Sequence, residues 1–171
     1  MTSIASPGLA RFNAADSPGA AGQLHHVCAS GAWGAAVLAG RPYGNVDALL
    51  AASDAAMAEL TAEDLAEAMA GHPPIGRPKP GDARSAREQS GVGEALREEL
   101  MELNLAYQDT HGHVFLICAT GRTGEEMLAA LEERIGNDAD TEREIVRTEL
   151  GKINRIRLRH LAEAGPAEEG D

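Results

Sequence analysis

The chain has 171 residues and carries 27 Asp and Glu against 15 Lys and Arg, a formal net charge of −12. That length suits one domain, and a hydrophobic content of 43% argues against wholesale disorder. The acid excess argues against nucleic-acid binding, which needs a basic face, and no apolar run approaches the ~18 residues that span a membrane.

Taken in chain order, residues 1 to about 8 read as a flexible, Ser, Gly and Pro-containing start. Gln23–Cys28 and Trp33–Ala39 read as short helices separated by Gly31, followed by a turn at Arg41-Pro42-Tyr43-Gly44. The spacing of Val46, Leu49, Leu50 and Met57 predicts a helix behind an Asn45 cap. Thr61-x-x-Asp64 opens another, with Leu65 and Met69 on one face and Gly71 as its end. Four prolines make residues 72–82 a loop. Helix resumes near Ser85, bends at Gly91 and Gly93, and continues from Glu94 to Gln108 with Leu96, Leu100, Leu103 and Tyr107 at helical spacing.

Val114–Cys118 is the one candidate strand, with a buried extended segment as the equal alternative. Thr123 opens a helix to Ile135, and Asp138 or Asp140 caps a last one running to about Ala164. Residues 165–171 form an acidic tail. The sum is an all-α, single-domain compact bundle of about eight helices over residues 9–164. With aromatics at only 3%, its core should be aliphatic.

Four places carry side chains suited to chemistry. His72 precedes Pro73 and Pro74, whose fixed φ angles make a stiff mount for a general acid. The same residue also fits a plain connector, where a helix C-terminus favours a histidine. Ser85-x-x-Glu88 is a capping box. With Gln89 it also presents a hydroxyl, a carboxylate and an amide on one helical turn, a set able to bind a ureido group. Arg157 falls within the stripe of Val146, Leu150, Ile153 and Leu161. It is either an inward cation needing a partner or a snorkelling side chain. Phe115, Leu116, Ile117, Cys118 and Ala119 precede Thr120-Gly121-Arg122, which lacks the Gly-Lys-Ser/Thr of a P-loop. An irregular buried segment there leaves backbone groups available to a ligand.

No zinc spacing links His25, His26 and Cys28, or His111, His113 and Cys118, so no metal is expected. Two cysteines and a start without an apolar signal region fit the reducing cytoplasm. The terminal Glu-Glu-Gly-Asp is no peroxisomal address.

Together these pieces resemble the OHCU (2-oxo-4-hydroxy-4-carboxy-5-ureidoimidazoline) decarboxylases, the last enzymes of the route from urate to (S)-allantoin. The matching residues run in order through Phe12-Asn13, Trp33, Arg41-Pro42-Tyr43, His72-Pro73-x-Ile75-Gly76 and Ser85-x-x-Glu88-Gln89. They continue through Asn104-x-x-Tyr107, Gly112-His113-Val114-Phe115, Gly121-Arg122, Gly136-Asn137-Asp138 and Lys152-Ile153-x-x-Ile156-Arg157-Leu158. Pro74 and His111 depart from the family pattern, which often has Phe before Gly112. The resemblance implies an all-α fold, no metal or organic cofactor, a homodimer, and a small ureidoimidazoline substrate. By motif match His72 is the catalytic acid and Glu88 its partner. Ser85, Gln89 and Arg157 bind substrate, and Pro73 and the Phe115–Ala119 backbone line the pocket. The competing readings are a non-catalytic helical binding protein and a decarboxylase of a related ureido or hydantoin-like acid.

Overall fold

A computed structural model of the chain describes residues 6–71 and 94–163, with side chains of the second span from residue 96 onward. Among the described residues it is all-α, with eight helices and no strand. The chain divides into two compact units, Met1–Leu65 with Gly151–Asp171, and Ala66–Leu150.

In the first unit, α1 (Pro7–Ala14) and α2 (Ser17–Val27) begin where the sequence pattern shows no apolar period. Each starts with proline in its first turn, where the missing N–H costs nothing. Asp16 caps α2 by accepting from the Gly19 N–H at 2.7 Å. The helix expected from Gln23 therefore starts six residues earlier. The next, α3 (Gly31–Ala39), is capped by the Ser30 hydroxyl, so Gly31 begins a helix rather than separating two. In α4 (Val46–Glu59), Asn45 accepts from the Ala48 N–H at 2.8 Å, the cap that the spacing predicts.

All five aromatic residues are buried, so the few that exist join the aliphatic core. Trp33 is fully buried and its Nε1 donates to the Ser53 hydroxyl at 3.1 Å. The Phe12-Asn13 and Arg41-Pro42-Tyr43 motifs form one tie. Arg41 Nη1 donates to the Phe12 and Ala15 carbonyls, and the Asn13 amide pairs both ways with the Tyr43 backbone at 2.9 Å. Such bonds replace the carbonyl partners that the end of α1 lacks. Tyr43 closes the turn by donating to the Val37 carbonyl. Burial holds its phenol above the usual tyrosine value.

Helix α5 (Ala62–Ala70) opens on a reciprocal box, in which Thr61 and Asp64 each accept the other's backbone N–H. In the second unit, α6 (Glu94–His111) and α7 (Gly124–Arg134) pack around Leu100, Tyr107, Phe115, Ile117, Met127 and Leu131. The last helix, α8 (Ala139–Glu163), is capped by Asp138, which accepts from the Thr141 N–H at 2.7 Å. That bond holds the Asp138 carboxyl below its usual range. No described helix is long and apolar enough to cross a membrane.

Candidate site around the buried 114–119 segment

Residues 114–119 run between α6 and α7 with neither helix nor strand, the extended alternative of the two readings. The side chains of Phe115 and Ile117 enter the core, and Leu116 and Cys118 are also buried. With its side chains so occupied, the segment offers its peptide groups. A β-turn ends it. The Arg122 N–H donates to the Ala119 carbonyl at 3.1 Å, and Gly121 takes φ +81°, which suits glycine at the third turn position.

A buried backbone outside regular structure needs other partners, and here side chains supply them. Asn104 Oδ1 accepts from the Phe115 N–H at 3.3 Å, and Arg134 Nη1 donates to the Leu116 carbonyl at 2.8 Å. Glu149 Oε1 accepts from the Cys118 N–H at 3.1 Å, and Arg122 Nε donates to the Cys118 carbonyl at 3.0 Å.

The Arg134 guanidinium lies 4.5 Å over the Phe115 ring and pairs with the fully buried Glu142 at 3.0 Å. Tyr107 and Asn137 also donate to Glu142. Burial first, then Glu142, pushes the Tyr107 phenol well above its usual value, so it stays a donor. A carboxylate met by three donors is tolerated where an unpaired one is not. Among the described residues, Arg134 Nη2 and Asn104 Nδ2 remain buried without a hydrogen-bond partner. His111 stacks at the same place, against Tyr107. Its ring lies 4.4 Å from that of Tyr107, and its Nε2 is 3.2 Å from the Ile135 carbonyl.

In the first unit Arg157 is buried, and its Nη1 donates to the Val27 carbonyl at 3.1 Å. It is the inward cation rather than the snorkelling one. Leu161, placed in the same stripe by its spacing, is only half-buried, and Leu158 and Ala162 are buried beside it. His72, Pro73, Ser85, Glu88 and Gln89 lie outside the described residues. So do the Pro-rich loop and the bends at Gly91 and Gly93. No group of three His, Cys, Asp or Glu among the described residues could hold a metal ion.

Sequence reasoning missed Glu142, Glu149, Arg122 and Arg134. A signal existed for the first two. Glu142 precedes Val146 by four residues and Glu149 follows it by three, so both fall on the stripe that singled out Arg157.

The fold and this segment define an all-α protein with a buried stretch of extended main chain held by side chains. The model of the family described as OHCU decarboxylase matches residues 13–159. This chain belongs to the OHCU decarboxylase family. The uric acid degradation bifunctional protein TTL of Arabidopsis thaliana is 36% identical over 130 residues, 70% of this chain and 40% of that protein. A 2-oxo-4-hydroxy-4-carboxy-5-ureidoimidazoline decarboxylase of Amia calva is 34% identical over 85 residues, 47% of each chain. These matches span less than half the length of either relative. The crystal structure of an OHCU decarboxylase in the presence of (S)-allantoin superposes with a TM-score of 0.74 at 26% identity, covering 88% of this chain and 100% of that one.

Proposed function

We propose that this chain is a carboxy-lyase that converts 2-oxo-4-hydroxy-4-carboxy-5-ureidoimidazoline to (S)-allantoin without a cofactor. The observation that carries the reading is the family match, which takes in the His72-Pro73-Pro74-Ile75-Gly76 and Ser85-Ala86-Arg87-Glu88-Gln89 motifs together with Arg157. The solved relative studied with (S)-allantoin supports the identity of the product.

Loss of CO₂ leaves an electron pair on carbon, and the imidazoline ring can delocalise it. The protein's tasks are then to orient the departing carboxylate and to deliver a proton to one face. His72 supplies that proton, and Pro73 stiffens its mount. Glu88 favours the protonated imidazole and accepts from the ureido N–H groups. Ser85 and Gln89 complete the polar contacts. Arg157 holds an anionic or carbonyl oxygen of the substrate. Along Phe115, Leu116, Ile117, Cys118 and Ala119, the peptide groups that side chains do not hold pair with the ureido or ring amide, whose alternating donors and acceptors match a main chain. The enzyme works in the cytoplasm as a homodimer of the 17.9 kDa chain, a mass that analytical ultracentrifugation measures directly.

The test is His72→Gln supplied with fresh substrate, with (S)-allantoin followed by circular dichroism. Loss of a general acid is expected to lower stereospecific turnover by about 10²- to 10⁴-fold while the helical spectrum persists. Retained (S)-selective turnover would reject the acid role. Absence of any turnover in the unaltered protein would reject the activity.

A further inference from the structure

Arg122 and Glu149 remain without a role in the chemistry described so far, yet they are arranged around one residue. Glu149 has a side chain only 7% exposed, and Arg122 pairs with it at 3.3 Å while itself 33% exposed. A buried ion pair is weak evidence for stability, because apolar residues of similar volume fill such a place as well. Here both partners also hold Cys118, one by its N–H and the other by its C=O.

Peptide planarity turns this grip into a statement about the neighbours. In a trans peptide the carbonyl of one residue points opposite to the N–H of the next. Holding the Cys118 N–H toward Glu149 therefore turns the Ile117 carbonyl away from Glu149. Holding the Cys118 carbonyl toward Arg122 turns the Ala119 N–H away from Arg122. Arg122 and Glu149 are in contact with each other, so the Ile117 acceptor and the Ala119 donor face a common side. Neither group has a hydrogen-bond partner among the described residues.

We propose that Arg122 and Glu149 are positioning residues that clamp the Cys118 backbone and so aim the Ile117 carbonyl and the Ala119 N–H, as a donor–acceptor pair, at an N–H and C=O of the ureidoimidazoline. The proposal rests on the decarboxylase reading above. The clamp acts on binding and leaves the reacting carboxylate and proton donor untouched, so it changes KM rather than kcat.

Steady-state decarboxylation by the full-length protein separates the cases. The variants are Arg122→Ala, Arg122→Lys and Glu149→Gln, with thermal unfolding measured alongside. Arg122→Ala is expected to raise KM by about tenfold, the size of a lost charge-assisted hydrogen bond, with kcat within about threefold. Arg122→Lys, which keeps a cation beside Glu149, should recover part of that loss. Glu149→Gln, which keeps an acceptor for the Cys118 N–H but loses the ion pair, should fall between. Arg122 is part-exposed, so its replacement leaves the core intact; should Glu149→Gln fail to fold, the arginine variants decide the matter. An unchanged KM in Arg122→Ala, or a fall in kcat at unchanged KM, would overturn the positioning role while the activity of the unaltered protein stands. A wild-type protein without decarboxylase activity would instead bring down the functional reading beneath it.

Discussion

Tyr107 shows how much one buried hydroxyl can be asked to do. It donates to Glu142, which also receives Arg134 and Asn137, and Arg134 in turn holds the Leu116 carbonyl. Tyr107→Phe leaves the carboxylate one donor short and should destabilise the protein by about 1–3 kcal/mol in urea unfolding. The raised phenol also sets a pH dependence. An unfolded tyrosine ionises near pH 10, whereas the folded one resists to higher pH. Its contribution is fully present below pH 10 and is lost as pH rises above it. Stability measured from pH 9 to 11.5 should therefore fall, and Tyr107→Phe should flatten that fall; an equal slope in both proteins would contradict the assignment. None of this was legible in the sequence, although Asn104-x-x-Tyr107 and Gly136-Asn137-Asp138 stood out as motifs. Glu142 lies 35 residues from Tyr107 and 8 from Arg134, separations that no local rule connects.

The helices divide by the kind of signal that marks them. Those opened by Asn45, Thr61 and Thr123 were readable, because each cap satisfies an N–H within three residues of itself. Asn45→Ala should cost about 1 kcal/mol, visible as a lower melting temperature. By contrast, α1 and the first half of α2 carry no apolar period, and Pro7, Ser17 and Pro18 read equally well as turn residues. Their stability comes from tertiary contact, which periodicity does not encode. Gly8 shows how close that contact is. A Cβ at this position would stand 1.9 Å from the Leu161 carbonyl oxygen of α8. Gly8→Ala is expected to destabilise the protein by about 1–3 kcal/mol, as overpacking does. A melting temperature equal to the parent's would show that α1 can shift without cost. The 114–119 segment was legible only as strand or extended chain; the choice depended on partners that are side chains from α6, α7 and α8 and the turn before α7, not a second strand.

For the chain as a whole, charge sets a problem that any anionic substrate must meet. A net charge of −12 repels it at long range, and only a short-range cation can reverse that. Salt screens exposed charges over roughly 8–10 Å at physiological strength and buried ones far less. In the proposed reading the buried Arg157 holds the substrate, so added salt should weaken the repulsion more than the local attraction. The expected result is a kcat/KM that rises between about 10 and 150 mM NaCl. A steady fall would mean that exposed cations guide the substrate instead.

The lone indole of Trp33, sealed in the first unit and bonded to Ser53, makes a natural reporter. Its emission should shift to the red when that unit opens, and it is blind to the second unit, which contains no tryptophan. Far-UV ellipticity averages over every helix. Superimposed denaturation curves from the two signals would mean that both units melt as one cooperative body, whereas an indole transition displaced from the ellipticity transition would mean that they melt in sequence.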